Sequence, residues 1–198
     1  WPNNIKWKKE DITLPDVPEK GALIKDWPKD FIGRYKEDVL ALSGEKAAEF
    51  PMSKRTATFK NRSSTDRDNQ LQDVVMYLEE RYKELGIKTH RQDFTSRGMK
   101  QTNLIAVIPG SDPSARPVVM ADHIDTAFSD DILQSKGKRS AAPGADDNAT
   151  GTAALLETAP VLRDMKLLRE VWLVHLTGEE FPADSLGARY FVSRLLKD

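Results

Sequence analysis

Three stretches of the sequence decide the fold: PVVMADHID at 117–125, DDNATGTAALLETAPVL at 146–162 and EVWLVHLTGEE at 170–180. The first and third contain short apolar runs that predict buried strands, and the second has an Ala/Leu face that predicts a helix over 148–162. A strand, a helix and a strand in this order form a β-α-β unit, whose strands are parallel with a right-handed crossover. Both strands therefore end at one edge of the sheet, where the helix begins and where open α/β folds bind ligands.

Polar residues gather at that predicted edge. They are Asp122, His123 and Asp125 after the first strand, Asp146 and Asp147 before the helix, and Glu179 and Glu180 after the second strand. So many carboxylates around one imidazole would repel each other unless a cation lay between them. The chain contains no cysteine, so histidine and carboxylates are the only strong metal ligands at hand. Nitrogen and oxygen ligands without sulfur suit zinc, with manganese and cobalt as alternatives.

Apolar spacing predicts the other elements of an α/β protein. Helices are expected from Asp30 to Gly44, from Leu71 to Gly86 and from about Ser185 onward, and strands at 87–94 and 103–108. These elements indicate a three-layer α/β/α fold with a mostly parallel central sheet. Residues 1–33 contain several prolines and isolated aromatic residues, and we expect them to form an extended N-terminal arm.

Two local expectations concern the β-α-β unit. The strand at 117–121 is nearly all apolar, so we expect it to be covered on both faces. Proline inside a helix costs roughly 3 kcal/mol, so Pro160 predicts a kink or an early end of the helix near Thr158.

The composition excludes several classes of function. Of the 198 residues, 39% are hydrophobic and 31% are charged, and the net charge is -1. No apolar run approaches the length of a membrane span, and no net field attracts nucleic acid, so neither is expected as a partner. The chain begins with Trp1 rather than Met, so we expect that a tag or a targeting peptide has been removed. A secreted or periplasmic origin stays open.

Three motifs carry a resemblance to a known family. MADHIDT at 120–126, PGADDNATG at 143–151 and TGEE at 177–180, with Leu186-Gly187-Ala188 beyond them, resemble the motifs of the di-zinc, or co-catalytic, aminopeptidases. That family includes bacterial leucine aminopeptidase, glutamate carboxypeptidases and the peptidase-like domain of the transferrin receptor. The likeness covers roughly residues 64–198. It implies that residues 34–198 are the N-terminal portion of a zinc-peptidase catalytic domain, incomplete at its C-terminal end.

The resemblance also implies a role for each matching residue. His123 is similar to a terminal ligand of one zinc ion, Asp147 to the carboxylate that bridges two zinc ions, and Glu180 to a ligand of the second ion. Glu179 is similar to the general base that acts on a metal-bridging water. Asp125 is similar to the carboxylate that holds the geometry of the site.

The same resemblance implies a reaction, an exopeptidase that removes N-terminal residues from peptides with two zinc ions in each complete site. The family's remaining Asp and His ligands lie downstream of Asp198, so we expect a second chain or a C-terminal fragment to supply them. A carboxypeptidase of the same family, a non-catalytic peptidase-like binding module and an incomplete fragment remain alternatives. A helix cap is the alternative for Asp147, and Asp146 is expected to be structural.

Overall fold

The computed structural model of this chain describes residues 28–127 and 144–196. Its helices are α1 (Phe31–Leu42), α2 (Leu71–Glu84), α3 (Thr150–Asp164) and α4 (Leu186–Leu195). A turn, Ala145–Ala149, precedes α3, and its residues Asp147 and Asn148 have non-helical backbone angles. Its strands are β1 (Ala48–Glu49), β2 (Thr56–Ala57), β3 (Lys88–Ser96), β4 (Met99–Ile108), β5 (Val118–His123) and β6 (Val171–Leu176). Most of the predicted N-terminal arm, residues 1–27, lies outside the described residues.

The central sheet has the strand order β3-β4-β6-β5. Strands β5 and β6 pair in parallel, as the β-α-β pattern predicts. Strand β4 runs antiparallel to both β6 and β3, so the described part of the sheet is mixed. Strands β1 and β2 form a separate antiparallel pair. The predicted α/β class is confirmed.

Helices cover both faces of the sheet. Alternate residues of β4, including Leu104 and Ala106, face the main core beneath helices α1, α2 and α3. The residue between them, Ile105, faces the other side and packs with Val174 and with Phe191 of α4. Each fully buried residue of this size contributes about 1.5–3 kcal/mol, so both layers hold the sheet in place. Within the described ranges, no helix has the length and apolar character needed to cross a membrane.

Helix α3 does not end at Thr158, so an early end at this position is wrong. The helix continues through Pro160 to Asp164. Leu156 and Ala159 on its inner face are fully buried. Because the burial of this face stabilises the last turns, it offsets the roughly 3 kcal/mol that a proline costs inside a helix.

Strand β5 is less covered than its sequence predicts. Val118 and Val119 point to opposite faces and remain 42% and 44% exposed. Within 28–127 and 144–196, β5 is the outermost strand of the sheet on this side. The expectation of cover on both faces is therefore wrong for this part of the chain, because an apolar composition does not distinguish a central strand from an edge strand.

Gly187 allows α4 to approach the end of β6. A Cβ at this position would lie 2.2 Å from the carbonyl oxygen of Thr177 and 2.5 Å from Oδ1 of Asn103. We expect Gly187→Ala to lower the free energy of unfolding by about 1–3 kcal/mol, because these atoms must move apart. The measurement is chemical denaturation followed by circular dichroism.

Gly33 of α1 is the matched control, since no atom outside its immediate surroundings lies within 4 Å of a Cβ built there. Gly33→Ala should raise the free energy of unfolding by about 0.5–1 kcal/mol, the usual gain inside a helix. Equal effects of the two substitutions would contradict the close approach at Gly187.

Candidate metal centre

The parallel pairing of β5 and β6 brings the predicted polar residues together. His123 is in register with Leu176 at the ends of the two strands, and the next amide, that of Ile124, donates a hydrogen bond of 2.8 Å to the Leu176 carbonyl. The turn 145–149, which carries Asp147, lies at the start of α3 on the same edge. The convergence of three segments that the sequence predicts is therefore present in the structure.

His123 lies at the middle of the cluster with 14% of its side chain exposed. Its Nε2 lies 3.0 Å from Oδ1 of Asp147 and 3.9 Å from Oε2 of Glu179. Its Nδ1 lies 3.2 Å from the main-chain oxygen of Asp125. Because this contact occupies Nδ1, Nε2 is the nitrogen that faces the carboxylates and is free to bind a metal.

Asp125 is fully buried beneath the cluster. Its Oδ1 accepts a hydrogen bond of 3.0 Å from the amide of Glu179, and its Oδ2 accepts one of 3.4 Å from the amide of Glu180. The hydroxyl of Ser64 donates to the same Oδ2 at 2.8 Å. Asp125 therefore accepts hydrogen bonds from the main chain that carries both glutamates.

The donor atoms fit a small divalent cation. One ligand atom each from His123, Glu179 and Glu180 lies within 4.8 Å of the others, and Asp147 joins them through its contact with His123. Oε1 of Glu180 is buried and has no hydrogen-bond partner among the described residues. A buried carboxylate oxygen without a partner is costly, and a metal ion would satisfy it. A nitrogen and oxygen set of this kind suits zinc.

Two of the three predicted ligands, His123 and Glu180, thus lie in one group with the predicted base, Glu179. The third, Asp147, lies outside this group and contacts the imidazole of His123. The structure brings Glu179 as close to the imidazole as a ligand would be, so the division of roles between Glu179 and Asp147 remains a prediction. Their side chains are the more open ones, 47% exposed for Glu179 and 71% for Asp147.

The charges of the site perturb two groups. Burial lowers the pKa of His123, but the hydrogen bond to Asp125 and the charges of Asp125, Asp147 and Glu179 outweigh it and raise the pKa to about 9. Burial raises the pKa of Glu180 to about 7, and the negative charges of Asp147, Asp125 and Glu179 add to this effect. Without a metal, the cluster therefore retains protons near neutral pH, which is the behaviour of carboxylates that are short of positive charge.

Asp122 does not join the cluster, although it precedes His123. Adjacent strand residues point to opposite faces, and Oδ1 of Asp122 lies 2.7 Å from Nδ1 of His175. The other ring nitrogen of His175 lies 2.6 Å from the hydroxyl of Tyr82. His175 is fully buried, so it is a packed strand residue.

Two residues of the site escaped the sequence analysis. Ser64 and Arg62 come from the loop before α2 and reach the cluster from a distance of about sixty positions along the chain. Neither belongs to a periodic pattern or to one of the three motifs. Only the pairing of distant segments reveals them.

The segment that carries the three motifs resembles a known protein family. Residues 103–198 match the model of peptidase family M28. This segment, slightly less than half of the chain, is similar to that family. The resemblance to co-catalytic zinc aminopeptidases is thereby confirmed, and the candidate metal centre lies almost wholly inside the M28 segment.

Individual M28-like proteins match at low identity. The probable leucine aminopeptidase of Arthroderma otae is 33% identical over 84 residues, which cover 42% of this chain and 21% of that protein. The chain spans less than half the length of the curated relatives that it matches first, 42% and 21%.

Solved structures share the fold. A glutaminyl cyclase from Fimbriiglobus ruber superposes with a TM-score of 0.66 at 22% identity and covers 87% of this chain and 57% of its own. A Zn-dependent exopeptidase from Parabacteroides distasonis superposes with a TM-score of 0.57 at 19% identity. The superposition covers 82% of this chain and 54% of that protein's chain. At these identities the likeness concerns the fold alone.

The raised pKa values predict how the metal-free protein responds to pH. The protonated imidazole of His123 stabilises the folded state. This contribution is complete below the ordinary pKa of 6.5 and is lost as the pH rises through about 9. Glu180 holds its proton more tightly when folded, so stability also falls as the pH rises from 4.5 through about 7. We therefore expect the melting temperature of the chelator-treated protein to fall between about pH 5 and pH 9.

Differential scanning calorimetry across that range checks this expectation. Glu180→Gln removes one of the two groups, so the part of the fall below about pH 7 should become smaller in this variant. A melting temperature that rises towards pH 9 in the metal-free protein would show that the cluster does not carry uncompensated negative charge.

Proposed function

We propose that this chain carries the larger part of the metal centre of a zinc exopeptidase that removes N-terminal residues from peptides. The observation that supports it most is the meeting of His123, Glu179 and Glu180 within 4.8 Å of one another, at the edge where β5 and β6 end. The relative from Arthroderma otae, a probable leucine aminopeptidase, favours the aminopeptidase over the carboxypeptidase.

His123, Asp147 and Glu180 are the residues that we propose hold zinc, with two ions in the complete site. We further propose that an Asp and a His from a second chain or a C-terminal segment complete the ligand set. Bound zinc supplies a Lewis acid that polarises a peptide carbonyl and lowers the pKa of water towards neutrality.

The chain's own residues then divide the work of hydrolysis. Glu179, with an exposed carboxylate beside His123, accepts the proton of the attacking water and passes it to the leaving amine. Asp125 holds the amides of Glu179 and Glu180, so both carboxylates keep their positions as charge moves. Proton transfer by a positioned base of this kind typically contributes 10² to 10⁴ in rate, about 3–5 kcal/mol.

Glu179→Gln tests the proposed base. The amide keeps the size of the side chain but cannot accept the proton, so we expect kcat to fall by about 10²-fold or more. The bound zinc should stay close to the wild-type content. Turnover of an aminoacyl chromogenic substrate and metal analysis by mass spectrometry measure the two quantities on the same samples.

Asp146→Asn is the matched control, because Asp146 neighbours Asp147 and has an exposed side chain. It removes one negative charge from the same turn and should leave kcat within about twofold of wild type. Full activity of Glu179→Gln would refute the proposed base, and loss of zinc from this variant would make Glu179 a ligand instead.

The two ends of the substrate distinguish the enzyme classes. An aminopeptidase cleaves peptides with a blocked C-terminus and spares those with a blocked N-terminus, whereas a carboxypeptidase does the reverse. A non-catalytic binding module cleaves neither, and its metal content would fall below two ions per site. Cleavage of N-blocked peptides alone would contradict the aminopeptidase proposal.

A further inference from the structure

One buried cation lies beside the candidate metal centre. Arg62 belongs to the loop before α2, and only 1% of its surface is exposed. The negative charges of Asp125, Asp122 and Asp147 face it. Burial lowers the pKa of its guanidinium to about 10, against the pull of these three carboxylates. Arg62 is therefore charged at neutral pH.

The guanidinium of Arg62 joins two segments of the site. Its Nη1 donates a hydrogen bond of 3.1 Å to the carbonyl of Ile124, which lies between His123 and Asp125. Its Nη2 donates one of 2.9 Å to the carbonyl of Gly144, at the start of the turn that carries Asp147. Bonds from a charged donor to buried acceptors are the stronger kind, so this fork ties the two segments firmly.

The main chain of Arg62 adds a third link. Its carbonyl accepts a hydrogen bond of 3.2 Å from the amide of Thr126. Residues 124–126 are thus held both by the side chain of Arg62 and by its main-chain carbonyl. A single side chain and its own backbone fix the segment directly after β5.

Gly144 is shaped to receive the fork. It has a left-handed backbone with φ of 52°, which favours glycine. A Cβ at this position would lie 2.8 Å from Nη2 of Arg62 and 2.2 Å from Cγ2 of Thr126. A side chain at this position would therefore crowd both the guanidinium of Arg62 and the side chain of Thr126.

We propose that Arg62 is a positioning residue that sets the separation of the His123 and Asp147 segments before any metal binds. This inference rests on the proposed function, since it concerns the same site. It differs from a purely structural role, because a clamp that sets ligand separation changes metal affinity in the folded protein as well as the stability of the fold.

Arg62→Lys tests the clamp without changing the charge. Lysine keeps the positive charge among the carboxylates but cannot reach two carbonyls with a planar fork. We expect the dissociation constant for zinc to rise by about 10- to 100-fold, the usual cost of losing an outer partner of a metal site. Competition with a fluorescent chelator measures it in the full-length protein, and the visible spectrum of the cobalt form reports the ligand geometry.

Arg81→Lys is the matched control, because Arg81 is a second largely buried arginine at a distance from the site. It bonds Asp38 and Glu157 and joins α1, α2 and α3. This variant should lower the melting temperature and leave the zinc affinity and the cobalt spectrum as in the wild type. Wild-type zinc affinity in folded Arg62→Lys would overturn the inference, whereas failure of the wild type to bind zinc would overturn the proposed function.

A measurement on the wild type decides the matter if Arg62→Lys does not fold. Nitrogen-15 NMR of the metal-free protein should show guanidinium protons of Arg62 that are protected from exchange and shift little when zinc is added. Protons that become protected only after zinc binds would show that the metal orders the arginine, and this would overturn the inference.

Discussion

The parallel pairing of β5 with β6 is the constraint on which the site depends. It places His123 in register with Leu176, so the residues that follow both strands emerge at one edge. Carboxylates that are dispersed along the chain are thereby concentrated around one imidazole. The gathered negative charge raises the pKa of His123 against the effect of burial. Burial raises the pKa of Glu180, and the same negative charge adds to this effect.

The acidic side chains of the site differ in how deeply they are buried. Asp125 lies below, fully buried, with its oxygens satisfied by Ser64 and by the amides of Glu179 and Glu180. Above it, Glu179 and Asp147 have exposed side chains, and a buried carboxylate oxygen of Glu180 has no hydrogen-bond partner among the described residues. The buried carboxylate of Asp125 holds the main chain in place, and the carboxylates above it are available to a ligand. This division explains why neighbouring acidic residues have different roles.

Much of the fold could be predicted because it depends on local periodicity. The helix expected from Leu71 to Gly86 is observed as α2, and the β-α-β unit lies where its apolar runs predict it. The failures arise where tertiary context decides. Packing carries α3 through Pro160, and the exposure of Val118 depends on the place of β5 in the sheet order, which no single strand encodes.

In the site, too, residues next to predicted elements could be found from the sequence, and residues placed by tertiary contacts could not. The motifs located His123, Asp147, Glu179 and Glu180, because those residues lie directly at the ends of predicted elements. Arg62 could not be found in this way, since its contacts are to main-chain carbonyls far along the sequence. Every residue has a main-chain carbonyl, so the side chains of the residues that Arg62 contacts do not indicate the contact.

We propose that the cluster at the ends of β5 and β6 holds metal. Anomalous diffraction at the zinc absorption edge, from crystals of the full-length protein, tests it most directly. We expect anomalous peaks within coordination distance of the imidazole of His123 and the carboxylate of Glu180. Peaks located only elsewhere in the molecule, or no peak in zinc-soaked crystals, would contradict it.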